Sequence, residues 1–391
     1  MAPPKPNRAK QNQINKKKKF QESAAKKQVT AEQYIEEGEK HAATYHFDKA
    51  LECFKNALIL EPENTLVMDT IGEILLESGD LEQAKSYFYK SIQVNSDDSA
   101  TKYMNLGQLV GGDDALKCYN KGVEIMEREL KKLIALTPTG EEQNKVPKPL
   151  KPQQLDDDND EEKMDDEEEE EEEEEESPIA IIKAQLCSAL CSKAELYLTD
   201  QCFDDDAETQ CETSLLKAIE YSPYSPEPYS LMASMKISQV KNTDAIQYLN
   251  KSYSLWETSD IDDRPEFDYR YNIALLFIEL KQNRTAVDIL EQLVNEQDNI
   301  AEVWYTLGVV YNSLDEPLSA QDCLSTAKDL LKITKIKDRE LEKLVSDLLK
   351  KVEKDVSLLP PEELNQFNDD DDEDNQVVAE DEEDEEMNSN I

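Results

Sequence analysis

Apolar residues recur along this chain at helical spacing in paired short segments, and the pairs repeat every 34 residues. Tyr34, Gly38, Ala50, Phe54, Ala57 and Pro62 align with Met68, Gly72, Ala84, Phe88 and Ser91. Both sets align with Trp304, Leu307, Gly308, Tyr311, Ala320, Leu324 and Ala327. Within each pair the glycine removes a side chain where two helices cross closely, and the later alanines let the second helix approach the first. The pattern predicts helix, turn, helix, with each pair burying its apolar face against the next.

Weaker copies fill the intervals between these anchors. Tyr103, Leu106 and Gly107 open a third unit, whose turn is shortened at Gly111 and Gly112 and whose second helix carries Ala115, Tyr119 and Gly122. A fourth shows Cys211, Leu215, Ala218 and Pro223; a fifth Tyr229, Met232, Ala233, Ala245, Leu249 and Ser252; a sixth Ile273, Ala274, Phe277, Ala286, Leu290 and Leu293. This arrangement of aromatic, x2, Leu-Gly, x2, Tyr followed by Ala, x3, Phe, x2, Ala resembles the tetratricopeptide repeat. The resemblance implies an all-α superhelical solenoid with a concave groove, an architecture for binding proteins more than for enzymes. After the seventh copy, Ile333, Ile336, Leu341, Leu344, Val345, Leu348, Leu349 and Val352 recur at helical spacing and predict one closing helix, stopped near Pro360 and Pro361.

Composition divides the chain further. Residues 1–29 form a basic tail, with nine Lys or Arg and one Glu in residues 1–27, and almost no large apolar residue. Residues 30–136 hold the first three repeats, and residues 137–177 a Pro-rich and acidic insertion. Residues 178–332 hold four further repeats, 333–359 the closing helix and 360–391 an acidic tail. Within the insertion, residues 156–176 carry 18 Asp or Glu against one Lys, a density of like charge that opposes folding. The net charge of the whole chain is −45, and the repeats themselves are acidic. Direct DNA or RNA binding would need the opposite sign, so the complementary partner is a cation-rich protein.

In the repeat family the groove is lined chiefly by five positions of each first helix. Transferred to this sequence, they select Glu32, Ile35 and Glu39; then Asp69, Glu73 and Glu77; then Asp200 and Asp204, which the frame places on the fourth first helix. Later units contribute Glu227, then Asp268, Tyr271, Leu275 and Glu279, then Glu302, Tyr305 and Val309. Carboxylates interleaved with Tyr, Leu and Ile suit an extended peptide rich in Lys or Arg with occasional apolar anchors.

Material for catalysis is sparse. His41 and His46 are the only histidines, and His41 occupies a position where the repeat usually carries a core Tyr. The seven cysteines form no CxxC pair; Cys53, Cys118 and Cys323 precede large apolar residues and read as packed, reduced thiols. No Gly-rich phosphate loop or nucleophile elbow is present, so no enzyme activity, cofactor or metal is expected. Residues 1–27 lack the apolar core of a secretory signal and no span of the sequence suits a bilayer, so the expected setting is soluble and intracellular. Lys16 to Lys19, with Lys26 and Lys27, suit either a nuclear import receptor or a solubilising Lys-rich tail.

The Lys-rich start, the segment Thr30 to Leu60, the run Lys102-Tyr-Met-Asn-Leu-Gly-Gln-Leu109, the acidic interruption and the acidic tail together resemble the fungal assembly chaperones of large-subunit ribosomal protein four. That resemblance implies a dedicated chaperone, cytoplasmic and nuclear, that holds the long basic loop of a newly made ribosomal protein and releases it to pre-ribosomes. The nuclear histone chaperones that interrupt tetratricopeptide repeats with an acidic segment are the alternative, although their interruption lies inside an early repeat pair. Co-chaperones that clamp a C-terminal carboxylate are disfavoured, since Ile35 and Glu39 stand where that class requires Lys and Asn.

Overall fold

The computed structural model describes residues 29–137, 177–333 and 338–360. The basic tail up to residue 28, including its import-type Lys run, the acidic run of the insertion and the acidic tail from residue 361 lie outside these residues. The chain divides into two units, the described residues up to Ser222 belonging to the first and those from Pro223 to the second. Each is treated by itself.

The first unit consists of α1 (Ala31–Ala42), α2 (Phe47–Leu60), α3 (Thr65–Glu77), α4 (Leu81–Val94), α5 (Thr101–Leu109), α6 (Gly112–Leu136), α7 (Pro178–Leu198) and α8 (Ala207–Tyr221). The second consists of α9 (Glu227–Ser238), α10 (Asn242–Tyr253), α11 (Phe267–Glu279), α12 (Asn283–Glu296), α13 (Ala301–Ser313), α14 (Pro317–Ile333) and α15 (Arg339–Val356). All regular structure among the described residues is helical, and none of these helices is long and apolar enough to cross a membrane.

Local chemistry starts several of these helices. Thr30 and Gln33 form a reciprocal capping box on α1, and the side chains of Asn64, Asp80, Ser177 and Asp338 accept from the first free N–H groups of α3, α4, α7 and α15. Such caps each contribute about 1 kcal/mol.

In four of the seven helix pairs a bulky side chain is set over a glycine. Phe54 lies on Gly38 and Phe88 on Gly72, so closely that a Cβ added to either glycine would stand 2.9 Å or 2.6 Å from the ring. Both rings are buried. In the third pair the shortened turn makes Tyr119 of α6 the residue that covers Gly107 of α5. In the seventh, Leu324 replaces the ring over Gly308.

The turns between paired helices repeat as well. Tyr45, Gly79, Val240, Lys281 and Asp315 all have positive φ, between 55° and 82°, at the same repeat position, just after the first helix of their pairs. Only the second pair uses glycine there. Val240 is the most strained of the set, because a β-branched residue in the left-handed region crowds its own backbone.

Two departures from the period shape the units. Helix α6 runs for 25 residues, and its overrun places Ile125, Met126 and Leu130 against Ile179, Leu186 and Ala189 of α7. The helices on either side of the insertion therefore pack directly on each other. In the second unit, the connector from α10 to α11 is lengthened and carries its own core residue, the wholly buried Trp256. Arg264 fixes the connector by donating from Nε to the Ser259 carbonyl at 2.7 Å and from its guanidinium to Gln292 Oε1 at 2.9 Å. Helix α15 closes this unit by setting Leu349 and Val352 on Ala320 and Leu324 of α14.

Two substitutions test this account by urea denaturation. Val240→Gly relieves left-handed strain at an exposed site and should stabilise by about 1 kcal/mol. Gly72→Ala drives a methyl group into the buried Phe88 ring and should destabilise by about 1–3 kcal/mol. Equal effects of the two would show that the ring–glycine contact does not limit helix approach.

Candidate protein-binding faces

In the first unit, first helices of successive pairs meet side by side. The Asn105 amide of α5 lies 3.4 Å from Glu73 Oε1 of α3. Glu32, Glu39 and Glu77 are exposed, Ile35 is half-buried against the core, and Glu73 is half-buried. Helical spacing puts Glu73 and Glu77 one turn apart on α3.

Asp69 corrects the expected set, because it is only 5% exposed and so cannot meet a partner as an open surface charge. It faces an interior polar cluster. Lys102 is completely buried, with Nζ donating to the Asn95 carbonyl at 2.6 Å and to Ser91 Oγ at 3.3 Å while pairing with Asp98. Asp98 also accepts from Thr65. The Asp69 carboxyl sits in reach of the Ser91 hydroxyl and the Lys102 charge, yet burial outweighs both and pushes it above the usual carboxylate range. Glu73 is pushed up too, first by burial and then by the Asp69 charge. Nothing in the repeat frame distinguishes this inward carboxylate; its signal was Lys102, a lysine on the same buried face of α5 as Tyr103 and Leu106.

Asp200 and Asp204 are also corrected. Helix α7 ends at Leu198, so both lie in the turn before α8, not on a first helix. Asp200 Oδ2 accepts from the Gly112 amide at 3.3 Å, and the neighbouring Gln201 donates to Asp113 at 3.1 Å, which ties this turn to the start of α6. Counting back one fixed period from α8 misplaced them because this pair has an extended turn, with Phe203 95% exposed within it.

In the second unit the Tyr271 hydroxyl of α11 meets Thr306 Oγ1 of α13 at 2.8 Å, and the Tyr269 hydroxyl reaches back to Ser230 Oγ of α9 at 3.1 Å. Burial raises the Tyr271 phenol above its ordinary range. Asp268, Leu275, Glu279 and Glu302 are exposed beside it, while Glu227 and Val309 are half-buried. Tyr305 packs against the core formed by α14 and α15, so part of its ring is committed to closing the unit. A buried cation escaped the sequence reading here: Arg270 pairs with Glu296 at 2.5 Å and donates from Nε to the Pro265 carbonyl at 2.8 Å. Its charge is spent inside the unit and leaves the face acidic.

Among the described residues, the ligand-type side chains that converge closely enough for a metal ion are Glu37, His41 and Cys53, away from these faces.

These features can be set beside known proteins. A tetratricopeptide-repeat family profile matches residues 67–98, the second helix pair with its flanks. A protein of Schizosaccharomyces pombe described as a probable assembly chaperone of rpl4 is 30% identical over 254 residues, covering 63% of this chain and 63% of its own length. A protein of Emericella nidulans with the same description is 25% identical over 304 residues, covering 75% of this chain and 65% of its own length. The chain resembles the rpl4 assembly chaperones. It spans just under two thirds of the length of either curated relative. A solved structure described as the assembly chaperone of RpL4, residues 1–338, superposes with a TM-score of 0.61 at 23% identity, covering 74% of this chain and 98% of that one. The fold is a tetratricopeptide-repeat solenoid.

The paired carboxyls give a pH signature. Because Asp69 and Glu73 are both raised, the folded chain holds their protons more tightly than the unfolded chain. Their contribution to stability is present below the ordinary carboxylate range and is lost as pH rises through the raised folded values. Glu73→Gln removes the Glu73 share of this loss while preserving an amide partner for Asn105. Its urea midpoint should exceed the parent's at about pH 7 and converge on it toward about pH 4; a difference that does not change with pH would contradict the pairing.

Proposed function

We propose that this chain is a dedicated chaperone of a newly made basic ribosomal protein of the large subunit, as the descriptions of its relatives suggest. The client is the long basic loop of large-subunit ribosomal protein four. The observation that carries this reading is the pairing of exposed carboxylates with part-buried apolar groups on the first helices. In the first unit these are Glu32, Glu39 and Glu77 around Ile35; in the second, Asp268, Glu279 and Glu302 around Tyr271 and Val309, with Leu275 exposed among them.

Physically, a loop made to contact rRNA carries dense Lys and Arg, which are prone to nonspecific capture by nucleic acid. Carboxylates aligned along each unit offer those cations charge-assisted partners, and the apolar groups between them favour particular side chains. The same sign of charge repels phosphate, so the chain itself takes no nucleic acid in this reading. Release follows when rRNA competes for the cations. The working cycle runs from cytoplasm to nucleus, with the Lys-rich N-terminus taken by an import receptor. No catalytic step is assigned.

The decisive experiment measures binding of a Lys/Arg-rich ribosomal loop and of a histone tail of equal charge, at about 0.15 M salt and at severalfold higher salt. The ribosomal loop should bind more tightly, and its advantage should persist as salt rises. Preference for the histone tail, or loss of both together, would replace this reading with that of a histone chaperone.

Charge reversal supplies a second check. Glu39→Lys with Glu77→Lys alters two exposed positions and should weaken loop binding by at least about tenfold, a change of about 1.4 kcal/mol. Helical melting should stay within about 0.5 kcal/mol of the parent. Unchanged affinity would remove the first unit's face from the binding surface.

A further inference from the structure

The contact between Phe54 and Gly38 does more than pair α1 with α2. It fixes their register so that Cys53, the residue before the ring, stands beside Glu37, the residue before the glycine. One turn further along α1 is His41, on the same face as Glu37. A carboxylate oxygen, an imidazole nitrogen and the thiol sulfur all lie within 4.8 Å of one another. Ligands on a tetrahedral ion with bonds of about 2.0–2.3 Å stand roughly 3.3–3.8 Å apart, so rotation of these side chains by about 1 Å closes the set.

We propose that Glu37, His41 and Cys53 form a Zn2+ site that clips the first helix pair together, with the fourth position open to water. The donor chemistry selects the ion. Sulfur and imidazole disfavour Ca2+ and Mg2+, which prefer oxygen, whereas one donor each of S, N and O suits borderline Zn2+. Access is suitable as well: Glu37 is exposed, and His41 and Cys53 are half-buried. The other histidine, His46, stands 6.2 Å from His41 between ring centroids, with Nδ1 bound to Thr44 Oγ1 at 2.9 Å. It stands outside the group of converging ligand atoms. By contrast, Cys187, Cys191, Cys211 and Cys323 are buried, and no second such group of ligands converges among the described residues. The position of His41 in place of a core aromatic is then a consequence of ligation, and the clip acts where no earlier helix pair in the described residues supports α1.

Titration of the full chain with Co2+, followed by competition with Zn2+, tests this assignment. The parent should develop a near-ultraviolet thiolate-to-cobalt band and intense visible bands of a tetrahedral ion, both abolished by stoichiometric Zn2+. Cys53→Ser should lose the thiolate band. His41→Gln and Glu37→Gln should keep it but bind at least about tenfold more weakly. Cys202→Ser, which alters an exposed thiol elsewhere, should match the parent. Circular dichroism of each variant confirms that its helices are intact. Absence of the band in the parent, its persistence in Cys53→Ser, or equal affinity in parent and both Gln variants would overturn the site.

Discussion

The seating of a bulky side chain on a glycine sets how closely the helices approach in four of the seven helix pairs. Each of Phe54, Phe88, Tyr119 and Leu324 occupies volume that any Cβ on its partner glycine would claim. The two helices of a pair therefore approach to a distance set by a ring's thickness, and protein interiors, packed as densely as molecular crystals, leave no slack in that distance. Helix separation fixes which residues turn inward, and hence which carboxylates remain outside. The same register aligns the ligands on α1 and α2.

The periodicity was legible because close packing restricts residue choice at a few positions and leaves the rest free. Gly38, Gly72, Ala50, Ala84, Phe54 and Phe88 could be aligned by eye, and the helix pairs they imply are present. A fixed frame fails where the chain departs from the period. Asp200 and Asp204 were assigned to a helix that ends before them, since turn length cannot be read from composition alone. Asp69 follows the frame in position but not in environment: its burial depends on Lys102 and Ser91, which approach from two other helices. Convergence of Glu37, His41 and Cys53 likewise requires two helices in register. Sequence distance conceals it.

Charge plays two separate parts. Inside, Arg270 pairs with Glu296 across two helices, and Lys102, paired with Asp98 of the preceding loop, reaches Ser91 of α4 by a hydrogen bond. Such pairs contribute little net stability but are costly to break, so they specify geometry more than they strengthen it. Outside, carboxylates such as Glu39, Glu77, Asp268 and Glu279 are left largely solvated. A protein this acidic could easily repel itself apart. Cations such as Lys40, Lys117 and Arg284 offset part of that repulsion in exposed pairs, while Lys102 and Arg270 are committed inside.

The packing of α6 on α7 also bears on how the first unit assembles. Elsewhere in that unit, helices that touch are near neighbours in sequence and close short loops, so each hairpin forms as a local event. Between Leu136 and Pro178 the chain must bring together segments separated by some forty residues, at a loop-closure entropy of about 3 kcal/mol. That entropy is offset by the apolar seam of Met126, Leu130, Ile179 and Leu186, together with polar ties from Glu127 to Lys217 and from Asp200 to the Gly112 amide. The helical hairpins, as local contacts, are therefore expected to form before this seam, which carries the larger loop-closure cost.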